Sequence, residues 1–95
     1  MPSTIPSPRT NVSPTVGTSS VLIIGAAPSR AGLFEFNPNA TTVLAISPSD
    51  STPVVNGVGI TLQPGTGIQL DNWTNGLNAI ASAPGATITV FEFYP

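Results

Sequence analysis

The fold is decided by the stretch Gly59-Ile60-Thr61-Leu62-Gln63-Pro64-Gly65-Thr66-Gly67-Ile68-Gln69-Leu70. Ile60 and Leu62 flank Thr61, and Ile68 and Leu70 flank Gln69, so apolar and polar positions alternate on both sides of Pro64-Gly65. A period of two belongs to a β-strand, whose successive side chains point to opposite faces of a sheet. Ile60, Leu62, Ile68 and Leu70 therefore share one core, with Thr61 and Gln69 turned outward. Pro64-Gly65 suits the centre of a type II turn, because proline sets the first φ and glycine accepts the positive second one.

The same grammar continues outward. Val21-Leu22-Ile23-Ile24 ends at Gly25, Leu33-Phe34-Glu35-Phe36 at Asn37-Pro38, and Thr42-Val43-Leu44-Ala45-Ile46 at Ser47-Pro48. Leu77-Asn78-Ala79-Ile80 and Ala86-Thr87-Ile88-Thr89-Val90-Phe91 follow. Runs rich in Val, Ile, Thr and Phe at intervals of about 8 to 14 residues are the signature of a sandwich or barrel. Pro84-Gly85 predicts a second type II turn and Asn75-Gly76 a further turn. Asn56-Gly57 predicts a hairpin in which both residues take positive φ. No window carries an apolar stripe of helical period that Gly or Pro leaves unbroken. The expectation is an all-β fold: one jelly-roll-like β-sandwich of about seven or eight strands over residues 19–95.

Residues 1–18 differ. Pro2, Pro6, Pro8 and Pro14 stand among Ser and Thr, a composition that favours extended, polyproline-like backbone. Two readings stay open for this arm: a strap lying across a neighbouring subunit, or a solvated tail. As a strap its apolar anchors are Ile5, Val12 and Val16, and Arg9 is its only charge. The strap reading makes the arm dispensable for folding and needed for attachment.

One triplet occurs twice, as Phe34-Glu35-Phe36 and Phe91-Glu92-Phe93. Alternation puts each Glu on the face opposite its Phe pair. If Ile88 and Val90 face the core, so does Glu92, and Phe91 and Phe93 face out. A bulge that shifts the register, cover by another subunit or by the arm, or a core on both sides of the strand would each accommodate this.

Only 6% of the 95 residues are charged: two Arg, no Lys, two Asp and two Glu, for a net charge of -2. Globular chains usually carry about 25%, so this surface is covered by Ser, Thr, Asn, Gln and backbone. A surface with so little charge points to burial against other subunits. Without a basic cluster there is nothing to replace phosphate counterions, which argues against nucleic-acid binding. No apolar run approaches the roughly 18 residues that span a bilayer, and no signal-peptide pattern is visible. The absence of Cys removes disulfides and thiolate chemistry.

With no His, Cys or Lys, the usual bases and activated nucleophiles are missing, and no enzyme activity is expected. Two carboxylates suffice for a glycosidase, but Glu35 and Glu92 lie mid-strand while Asp50 and Asp71 lie in or beside loops. Neither a calcium loop nor a dinucleotide fingerprint occurs, so no metal or cofactor is expected. Trp73, in the polar loop Asp71-Asn72-Trp73-Thr74-Asn75-Gly76, either closes an open end of the sandwich or stacks on a sugar ring. Sequons at Asn11, Asn39 and Asn72 match by composition.

Arg30-Ala31-Gly32-Leu33 with Asn37-Pro38, then Gly59-Ile60-Thr61-Leu62-Gln63-Pro64-Gly65, Ala79-Ile80-Ala81 and Gly85-Ala86-Thr87-Ile88-Thr89-Val90 form a pattern over about three quarters of the chain. It resembles the core and turn segments of small structural proteins of tailed bacteriophages. Glu35 stands where those segments carry an aliphatic residue. The resemblance implies a virion protein made in the host cytoplasm, most simply a capsid decoration (cement) protein. Such a protein clamps neighbouring major capsid subunits, and it is expected here as a homotrimer. Ile5, Arg9, Val12, Val16, Phe91 and Phe93 are the candidate partner-binding residues. The alternative is a tail-fibre or receptor-binding module that recognises a glycan through Trp73.

Overall fold

The structure, a computed structural model, describes residues 7–94. No helix forms among them. There are ten strand segments: β1 (Ser7–Val12), β2 (Thr15–Val16), β3 (Val21–Ile24), β4 (Gly32–Phe36), β5 (Leu44–Pro48), β6 (Ile60–Leu62), β7 (Gly67–Asp71), β8 (Leu77–Ala81), β9 (Ala86–Thr87) and β10 (Thr89–Tyr94). One sheet has the order β1-β10-β4-β7 and the other β3-β8-β5-β6, and a two-residue ribbon pairs β2 with β9. Every pairing is antiparallel. With β1–β2 and β9–β10 each taken as one interrupted strand, eight strands follow the jelly-roll order, and consecutive strands cross repeatedly between the sheets.

Alternation sorts the residues as expected except at Ile60, which the sequence places in the core but which lies 38% exposed at the start of the edge strand β6. Leu44, Ile46, Leu62, Leu77 and Ala79 from one sheet meet Leu33, Val90 and Ile88 from the other side, all buried in one cluster. Ile68 and Leu70 pack against it from the edge strand β7. At Pro64-Gly65 the turn is as predicted: Gly65 has φ 77°, and the Thr66 N–H donates to the Gln63 carbonyl at 3.1 Å. Gly85 likewise has positive φ, 75°. The Asn56-Gly57 turn departs from expectation. Only Asn56 takes positive φ, 58°, while the second left-handed residue of this loop is Gly59 at φ 88°. A side chain at Gly59 would run into the Ile46 carbonyl oxygen, so glycine there serves close approach as well as turn geometry.

A boundary between arm and sandwich at residue 18 does not coincide with any edge of this fold. β1 pairs with β10 along its length, and β2 pairs with β9. Val16 is 0% exposed. The reason is the sheet edge: without β1, the backbone groups on one side of β10 would have no partner. Proline is tolerated in β1 because an edge strand need not donate on its outer side. The register slips between Pro8 and Thr10, which leaves Arg9 as a bulge.

Candidate functional site

Strict alternation holds through both Phe-Glu-Phe triplets. β10 runs without a register shift against β4, with Phe91 opposite Phe34, Glu92 opposite Leu33 and Val90 opposite Glu35. Val90 and Glu35 are buried, and the four Phe side chains lie half-buried on the outer face of the sheet. Cross-strand register sets out three rows there: Pro8–Phe93–Gly32–Asp71, Asn11–Phe91–Phe34–Gln69, and Thr89–Phe36–Gly67. Phe34 and Phe91 are ring neighbours at 6.4 Å with a 40° tilt, a favourable geometry for an aromatic pair. Phe34 also lies over Gly67, where a Cβ would come within 2.6 Å of its ring. Apart from Asp71 at one edge, these rows carry no ionisable residue.

Other apolar exposure is concentrated at the second sheet's borders. Leu22 is 56% exposed and Val21 41% exposed on the edge strand β3, and Val54, Val58 and Ile60 are exposed around the start of β6. Among the described residues the surface holds no pocket.

Charge is handled inside the fold. The Arg30 side chain, 1% exposed, donates from Nε to Glu92 Oε2 at 3.1 Å; the Glu92 side chain is 13% exposed. Its remaining nitrogens donate to the Asn75 carbonyl at 3.0 Å and to the Gly25 carbonyl. Tyr94 Oη donates to the same Glu92 oxygen at 3.0 Å. One guanidinium thus ties the β3–β4 loop, the β7–β8 loop and β10 together at one end of the sandwich.

Glu35 occupies an aliphatic slot. It is 0% exposed, and neither carboxyl oxygen has a hydrogen-bond partner among the described residues. Burial pushes its carboxyl up from 4.5 to about 8, and the charge of Arg30 offsets only part of that rise. At neutral pH it is a neutral acid in an apolar core. Glu35 and Glu92 stand at diagonal positions on neighbouring strands, and with Glu35 fully buried no substrate reaches between them in this structure. Among the described residues no three acids converge.

At the opposite end Asn37, fully buried, donates from Nδ2 to the carbonyls of Thr42 at 2.9 Å and Leu62 at 2.8 Å. Its Oδ1 accepts from the Asn39 backbone N–H and side-chain Nδ2. Asn39 in turn exchanges two hydrogen bonds with the Thr87 backbone, so its sequon amide is fully engaged.

The structure therefore separates the residues singled out in the sequence. Phe91 and Phe93 share the outer face. Arg9 and Val12 stand in β1, with Val12 opposite Val90. Ile5 lies outside the described residues. Val16 is a core residue with no surface to offer a partner, which corrects its reading as a strap anchor. Trp73 is half-buried, packs against the core and buries its indole N–H without a partner, so it closes the Arg30 end of the sandwich. Sequence reasoning gave Arg30, Asn37 and Asn39 no part in joining the loops; one of only two Arg in a chain almost without charge was the available signal. Comparison with family models, with curated proteins and with solved structures gave no match.

Proposed function

We propose that the chain is a structural virion protein of the decoration (cement) type, which binds a capsid lattice and holds neighbouring subunits together. The observation that carries this reading is the outer face of the β1-β10-β4-β7 sheet: Phe34, Phe36, Phe91 and Phe93 side by side, framed by Thr89 and Gln69. A face of aromatic rings with polar borders, and a charge only at its Asp71 edge, has the composition of a protein-protein contact, where aromatic residues are enriched and charge is excluded from the centre. Isolated, it would be a contiguous apolar patch of the kind that marks an interaction site. Association into a homotrimer would suit the three-fold positions of a capsid.

The test is binding of purified protein to undecorated particles, with copy number per particle read by mass spectrometry. Hundreds of copies fit decoration, whereas a handful place the protein in a tail. Replacing Phe91 and Phe93 with Ser should abolish binding, or the trimer, while leaving the fold intact. Retained binding and an unchanged mass in light scattering would remove the aromatic face from the proposal.

A further inference from the structure

Glu35 has no part in that proposal, yet it is the most anomalous group in the molecule. A buried carboxyl normally finds a donor, because an unsatisfied polar group loses its hydration without replacement. Here both oxygens lack partners at 0% exposure. On the flanking strands, the residues opposite it are Val90 and Ile68. The charged and titratable groups around it are few. Glu92 and Tyr94 come from β10, Arg30 precedes β4, β7 turns only Ile68 and Leu70 inward, and the facing sheet contributes Leu44, Ile46, Leu62, Leu77 and Ala79. Arg9 stands in β1, beyond β10. Arg30 is the one described cation near it, and Arg30 is already engaged by Glu92 and two carbonyls.

We propose that Glu35 is a proton-controlled lock on the sandwich: with a proton on its carboxyl the two sheets close over it, and without that proton they loosen to admit water. The neutral acid is tolerated among aliphatic side chains. The carboxylate is not, since it would share one guanidinium with Glu92 on the same face and have no donor of its own. The alternative to opening is for Arg30 to leave Glu92, which frees the Gly25 and Asn75 carbonyls and the loop that carries Trp73. Either way the trigger is alkaline. The folded state holds a proton that the unfolded chain gives up near 4.5, so stability is full below that pH and falls as pH rises toward about 8. Beyond about 8 both states are ionised and the loss is complete. The device belongs to this chain alone and does not depend on what it binds.

The chain has two Glu, so carboxyl carbon NMR can follow both during a titration of the full-length protein, with Glu92→Gln fixing the assignment. The Glu35 signal should titrate far above its ordinary range. The unfolding equilibrium constant should rise about tenfold per pH unit between pH 5 and 8. In Glu35→Gln and Glu35→Leu that slope should vanish, with both variants more stable than the parent at pH 8 to 9. A Glu35 midpoint near 4.5, or a slope that survives in both variants, would overturn the lock. Should neither variant fold, the titration of the parent protein decides alone.

Discussion

At one end of the sandwich Asn37 and Asn39 join loops through neutral amides, and at the other Arg30 and Glu92 do so through charge. The Asn37 amide has two donors and two acceptor positions, and all four are used: Thr42 and Leu62 carbonyls on one side, two Asn39 groups on the other. That end can be fully buried with no ion to desolvate. The Arg30 end spends a scarce charge on three acceptors and still leaves the Trp73 indole N–H without a partner. The difference teaches that low surface charge here is partly a matter of location. Of six ionisable Arg, Asp and Glu residues, Arg30, Glu35 and Glu92 are drawn inside the fold.

Breaking the amide end should cost most. Asn37→Asp turns two donors into acceptors that face the Thr42 and Leu62 carbonyls inside a buried site, with an expected loss of about 4 kcal/mol. Urea unfolding read by tryptophan fluorescence measures it, and a loss below about 1 kcal/mol would mean that water reaches the site. At the charged end, Arg30→Met strands a mostly buried Glu92 and two carbonyls, at about 3 kcal/mol. Arg30→Met with Glu92→Leu should recover part of that, because the unpaired carboxylate is gone.

Val16 sharpens the comparison from the N-terminal side. The Gly17 carbonyl accepts from the Ala81 N–H at 2.8 Å, which ties the segment after Val16 to β8. Val16→Ala should cost about 2 kcal/mol by lost burial and an imperfectly filled cavity. Removal of residues 1–18 should cost more than that single change, measured as a fall in melting temperature. An unchanged melting temperature on truncation would restore the dispensable arm and refute the placement of β1 and β2. The smallest effect is expected at Tyr94→Phe, where loss of one hydrogen bond to Glu92 should lower stability by about 1 kcal/mol.

The residues that mark the ends differ in how far their meaning lay in local sequence. Val90 and Glu92 could be placed on one face, and Phe91 and Phe93 on the other, because side-chain direction along a strand follows from the residue count. Pro64-Gly65 fixed its own turn for a similar reason, since the φ preferences belong to those two residues. Asn56-Gly57 was misjudged in detail because the turn is centred one residue earlier: the Gly57 N–H donates to the Val54 carbonyl at 2.9 Å, which makes Val55-Asn56 the central pair and Asn56 the left-handed residue. The strands of residues 7–16 were hidden by proline content. Their pairing supplies what the edge of β10 lacks and is not a preference of the segment itself.

The sequence by itself determined the all-β class, the alternation that builds one apolar core, and the outward turn of Phe91 and Phe93. Those properties are set by neighbours within a few residues, where steric limits on φ and the two-residue period act. Only the tertiary structure decided the jelly-roll order, the joining of Arg30 to Glu92 across 62 positions and of Asn39 to Thr87 across 48. It also decided the isolation of Glu35. Whether a buried polar group has a partner depends on which distant strand the fold brings to it, and no local pattern encodes that.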